Sequence, residues 1–196
     1  MQTINQSGRS MIEMLGVLAI IGVLTAGGLT IVGKARHQQE LTQLLSETAE
    51  IVSGIKKMAC DYDNGYKSYV NMLCQSKAQP NGTECTVDGE NSYIKTTSDA
   101  TVKATPSPAT LSTTETNYFI VEIDNMSEDA CVYLASSDWG RRNTNGFVGA
   151  YLGDSAPSTL SDVPMDPATA AVNCEEENGV VKNKLHLKFL ACQKNG

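Results

Sequence analysis

Residues 11–33 read MIEMLGVLAIIGVLTAGGLTIVG, an apolar run in which Glu13 is the one ionisable residue. A hydrocarbon core about 30 Å thick needs about 20 predominantly apolar residues in a helix. Residues 14–33 supply that length without a charge, so the stretch reads as a helix able to span a membrane. A carboxylate at the edge of such a run is costly to bury unless something neutralises it, which makes Glu13 a functional candidate. The plain alternative is an acid that reaches up to the lipid headgroups.

Outward from that run, 196 residues leave room for one anchor helix and one modest globular domain. The net charge is −7, most of it beyond residue 39, and no basic stripe exists to neutralise phosphates, so no specific nucleic-acid partner is expected. Cysteines stand at 60, 74, 85, 131, 174 and 192, all after the apolar run. An even number in an exported domain reads as up to three disulfides formed in an oxidising compartment. No Cys-x-x-Cys pair supports zinc or thioredoxin-like chemistry, and no cysteine just after the run suggests a lipoprotein. An ordinary secretory signal would be cut after its apolar stretch and lost.

After Gly33 the pattern turns amphipathic, with no proline or turn cluster before Asp61. Leu41, Leu45, Thr48, Val52, Ile55 and Ala59 step by four and three, which places them on one helical face. A single helix from Ser10 to about Cys60 follows, its first half apolar and its second packed on a domain by one stripe. Each interior glycine costs a helix about 1 kcal/mol relative to alanine, so Gly27 and Gly28 mark its weakest point.

Asp61 to Gly65 reads as a stop and turn, and Tyr66 to Cys74 as a short helix. From Gln75 to Thr116 the composition is Ser, Thr, Asn, Gly and Pro with little periodicity, which predicts a long loop. Within it Cys74 and Cys85 flank a Pro-Asn-Gly turn and are geometrically easy to join. Tyr118 to Ile123 alternates as a strand, Ser127 caps a helix over 128–136, and Phe147 to Leu152 reads as another strand. Residues 153–172 look loop-like. Val181 to Ala191 reads as a closing strand, with Leu185, Leu187, Phe189 and Ala191 on one face and Lys182, Lys184, His186 and Lys188 on the other.

Residues able to converge on a catalytic site are scarce. His37 and His186 read as solvated histidines, Glu175-Glu176-Glu177 as an acid run in a turn, and Trp139-Gly140-Arg141-Arg142 as a surface loop. None of the serine-hydrolase, zinc-protease, phosphate-loop or calcium-loop patterns occurs. The expectation is a protein that is not an enzyme, with no metal and no cofactor.

Gly8, then Arg9-Ser10-Met11-Ile12, then Glu13 and an apolar run resembles the leader and N-terminus of type IV prepilins. The resemblance implies a cut between Gly8 and Arg9 by a prepilin peptidase, with the apolar helix retained and Glu13 the fifth mature residue. The stretches MSEDACVYLASS and NCEEENGVVKNKLHLKFLA are arranged like the C-terminal half of type IVb pilins. It implies an α+β pilin fold: a long N-terminal helix, transmembrane then amphipathic, packed on a small antiparallel sheet. The divisions would be a leader at 1–8, a membrane and filament-core helix at 9–36, and a globular domain at 37–196. Within that domain an αβ-loop would span 61–117 and the sheet with its disulfide-bounded region 118–196. The family arrangement further implies a Cys131–Cys174 disulfide, which with Cys74–Cys85 leaves Cys60–Cys192.

The function so implied is that of a structural subunit of a pilus-like filament. Glu13 would act in assembly, offset by the new terminal amine of a neighbour, and Gly27 and Gly28 would loosen on polymerisation. Implied partners are further copies of the chain, the prepilin peptidase, the inner-membrane assembly platform and its ATPase, minor pilins, and membrane lipid before assembly. The implied location is the bacterial inner membrane and then an extracellular pilus or periplasmic pseudopilus, with N-terminal methylation and cell adhesion among the family's associations. The rival readings are a minor pilin or type II secretion pseudopilin, and a membrane-anchored periplasmic binding domain or enzyme that never polymerises.

Overall fold

In the computed structural model the backbone is described for residues 7–61, 68–107, 118–141, 144–153, 160, 163–177, 180–181 and 184–191. The chain divides into two compact units, Met1–Glu40 and Leu41–Gly196. Helix α1, Ser7–Asp61, contributes to both.

In the first unit, the side chains of Met14, Leu15, Val17, Leu18, Ile20 and Ile21 are each more than half exposed. Among the described residues no helix is long and apolar enough to cross a membrane, and positions 23–31 of the expected span lie outside the described side chains.

The second unit is built on the remainder of α1. Its buried stripe is Leu41, Leu44, Thr48, Ile51, Val52 and Ile55, a three-and-four repeat. Leu44 and Ile51 lie deeper than the sequence-based stripe suggests, and Leu45 is only half-buried, while the Ala59 side chain is outside the description. Thr48 satisfies its hydroxyl by donating to the Leu44 carbonyl at 2.8 Å. Helix α2, Tyr69–Gln75, is capped by Ser68 and buries Val70, Met72 and Leu73.

The strands are β1 Glu84–Thr86, β2 Tyr93–Lys95, β3 Thr101–Ser107, β4 Tyr118–Asp124, β5 Phe147–Leu152, β6 Glu176–Glu177, β7 Val180–Val181 and β8 Leu185–Leu190. Helix α3, Glu128–Ser136, follows β4, and helix α4, Pro167–Asn173, follows β5. One antiparallel sheet runs β1-β2-β3-β4-β8-β5, so the last strand in sequence sits between β4 and β5. Its register sets Phe189 opposite both Phe119 and Phe147, with ring centroids 5.4 Å apart in each pair. Such aromatic pairs add to the energy of burial itself. The core rests on this row and on Val121, Ile123, Leu185 and Leu187, all fully buried.

Three expectations give way here. The stretch from Gln75 to Thr116 contains β1, β2 and β3, and its residues 108–117 lie outside the description. The strands escape notice because β1 and β2 are three residues long and β3 is polar apart from the inward Val102 and Ala104. The 153–172 region contains the start of α4, where Asp166 accepts from Thr169 N and Pro167 stands at the first helical position, a start signal legible in the sequence. Val181 belongs to a separate two-stranded ladder, with Glu176 opposite Val181 and Glu177 opposite Val180, so part of the acid run is strand. The closing strand starts at Leu185.

Candidate functional site

The second unit carries an open groove of about 770 Å³. Leu45, Ala49 and Val52 of α1 form one wall, Trp139, Gly140 and Asn145 another, and Phe189 to Ala191 at the end of β8 the floor. Trp139 shapes it. The sequence suggested a surface loop there, yet the indole is buried, donates to the Leu134 carbonyl at 2.9 Å and meets Phe189 edge-on at 6.5 Å. A large ring packs inward because its one polar atom finds an acceptor at the end of α3. Arg141 is exposed and Arg142 lies outside the description.

Asn145 ties this loop together. Its amide nitrogen donates to the Trp139 carbonyl, and its amide oxygen accepts from Phe147 N at 3.0 Å. Gly140, at φ +83°, sits so close to that amide that a Cβ would collide with it, so both its conformation and its space call for glycine. On the α1 side, Lys56 donates to the Asn145 carbonyl, and burial lowers its ammonium pKa from the ordinary value. Lys57 is exposed at the rim, and Asp138 stands on the loop side.

A second polar group lies on the other face of the sheet, where the register sets His186 opposite Glu122 and Tyr151. Alternation placed His186 among solvated lysines, but it is 8% exposed and its ring lies flat on Tyr151 at 4.6 Å. Its Nε2 is 3.4 Å from Glu122 Oε2, while Lys184 Nζ donates to Glu122 Oε1 at 2.9 Å. The hydrogen bond from His186, the one from Lys184 and the lysine's charge outweigh desolvation and hold the Glu122 carboxyl down at about 2. The histidine escapes solvent because Tyr151, two residues beyond a bulge in β5, turns its ring over it. Cross-strand packing of this kind is not readable from the β8 sequence alone. The cluster pins β4, β5 and β8 together.

Disulfides join Cys74 to Cys85, linking α2 to β1, and Cys131 to Cys174, linking α3 to the end of α4. Cys60 and Cys192 lie outside the described side chains. So do Gly8, Arg9 and Glu13, whose backbone is part of α1, and Gly27 and Gly28, through which the α1 backbone is assigned as helix. His37 is half-buried. Among the described residues no group of three or more His, Cys, Asp or Glu side chains is arranged to hold a metal ion.

No family model matches the chain, and no curated protein matches it. Among solved structures, it is similar to the crystal structure of a type IVb pilin from Salmonella typhi, with a TM-score of 0.51 and 18% identity over 76% of this chain and 97% of that one. The likeness is one of fold, and the chain has a type IV pilin-like α+β fold.

Proposed function

We propose that the chain is the structural subunit of a type IV pilus-like filament. The observation that carries this reading is the pairing of a pilin-like fold with an α1 whose apolar side chains from Met14 to Ile21 stand exposed in the single chain. Contiguous apolar surface of that kind calls for a cover, either lipid or protein. In the proposed cycle the 14–33 stretch first lies in the inner membrane, supplying the span that the sequence provides. A prepilin peptidase cuts after Gly8, and the assembly platform with its ATPase then moves the subunit from lipid into a bundle of α1 helices from other copies, with minor pilins at the start.

Glu13 is the register device of this proposal. Leaving the headgroup edge for a helix bundle, an unpaired carboxylate costs several kcal/mol. The amine created on Arg9 of an adjacent copy offsets that cost at one axial stagger only. Arg9 itself reaches lipid phosphates. Gly27 and Gly28 give the helix a place to loosen as the subunits extend along the filament.

The mass of the protein in a sheared surface fraction tests the reading. The proposal expects the chain as a main component, with the mass of residues 9–196 less the hydrogens lost to disulfides. Finding it only in trace amounts would favour a minor pilin or pseudopilin. Finding it solely in the membrane, uncut, would overturn the proposal in favour of an anchored domain that does not polymerise.

A further inference from the structure

Helix α4 presents Ala168, Ala171 and Val172 to solvent, and their three-and-four spacing puts them on one face. Val172 is 69% exposed, more than Val87 at 52% and Val163 at 44%, the other exposed large hydrophobics among the described residues of the second unit. Exposed carboxylates bound this short ridge at both ends, Asp166 at its cap and Glu175 just after it. The groove has the opposite character: an apolar bed including Ala49, Val52 and Trp139, with Lys56 and Lys57 along the α1 rim.

We infer that the α4 ridge of one copy seats in the groove of the next, with Val172 against Trp139 and Glu175 facing Lys57. This deepens the filament reading and rests on it, by naming the second copy of this chain as the occupant of the groove. Apolar ridge meets apolar bed, and acidic flanks meet the basic rim. Lys57 on the α1 side attracts an acidic end of the ridge and Asp138 on the loop side repels one; Asp166 is held by its cap bond to Thr169 N, which leaves Glu175 as the end turned toward α1. Ridge and groove are different surfaces, so the contact is heterologous, and heterologous contacts propagate into open assemblies instead of closing as pairs. A seven-residue helix with small side chains buries little area, which suits an interface that every subunit repeats.

The test places a photo-crosslinking benzophenone amino acid at position 172 of the full chain, assembles filaments and sequences the crosslinked dimers. The expected partners are peptides containing Ala49, Val52 or Trp139 of a second copy. In parallel, Lys57→Glu and Glu175→Lys should each lower sheared filament yield by about tenfold or more, and the double exchange should restore it. Both positions are exposed, and native circular dichroism of each variant checks that folding is kept. Wild-type filaments whose crosslinks map elsewhere on the chain, or onto another protein, overturn the contact alone, as do full yields from both single variants. A wild-type chain that never enters a sheared filament overturns the subunit reading and the contact with it.

Discussion

Glu47 of α1 grips Thr97 in the turn between β2 and β3 with both carboxylate oxygens: Oε1 accepts from the Thr97 hydroxyl at 2.6 Å and Oε2 from the Thr97 backbone N–H at 3.1 Å. Gln43, one turn earlier on the helix, donates to Oε1 at 3.0 Å. Glu47 is 5% exposed, so these bonds are what make its burial tolerable. Glu47→Ala removes three hydrogen bonds to a charged acceptor, and the expected loss is about 3 kcal/mol of unfolding free energy. Glu47→Gln keeps two acceptor lone pairs and should lose less. Denaturant titration of the detergent-solubilised chain measures both, and an alanine variant as stable as wild type would show that the grip carries no energy.

Acid should act on Glu122 in a defined window. Its folded pKa of about 2 lies below the ordinary 4.5, so its contribution is fully present above 4.5 and drains away as pH falls toward 2. Because the carboxyl is partly open to solvent, screening leaves this shift worth only about 1–2 kcal/mol of pH-dependent stability. Because the hydrogen bond from His186 is the largest cause, His186→Ala should raise the Glu122 pKa toward its ordinary value and flatten that slope. Carboxyl NMR titration of wild type and variant checks this, and an unmoved Glu122 pKa would assign the depression to Lys184 instead.

The Cys131–Cys174 disulfide closes a chain segment of 43 residues, for which loop-closure entropy gives about 4 kcal/mol. Replacing both cysteines by serine should lower stability by that order and release α4 from α3. Non-reducing peptide mapping should recover this linkage together with Cys74–Cys85, and is expected to join Cys60 to Cys192. Recovery of Cys60 or Cys192 as a free thiol in exported protein would remove that third pairing.

Replacing Gly27 and Gly28 by alanine should strengthen α1 by about 1 kcal/mol each. The double variant is expected to be cut and to fold normally while giving few filaments, as counted by electron microscopy. Filaments of normal number and extensibility would show that α1 need not loosen there.

How far the sequence could be read varies with the kind of signal each element carries. The long helix, the capped α3 and the alternating β4 were legible from their period or cap, and β5 from its short apolar run after Asn145-Gly146. The strands β1 to β3 were not, because a three-residue strand has no period and β3 holds its place through pairing with β4 more than through apolar content. Trp139 and His186 went astray for a shared reason. Each is amphipathic, and its burial is decided by a distant partner: the Leu134 carbonyl with Phe189 for the indole, Tyr151 with Glu122 for the imidazole. The groove was illegible for the same cause, being formed by three segments far apart in sequence.

Filament formation by Glu13→Gln is the most direct test of the proposed function. Glutamine keeps the shape of the side chain and removes the charge that is proposed to set the stagger between subunits. Cleavage after Gly8, insertion and folding of the second unit are expected to be normal, with few or no filaments in the sheared fraction. Wild-type filament numbers from that variant would contradict the proposed function, because the carboxylate would then drive neither attraction nor register.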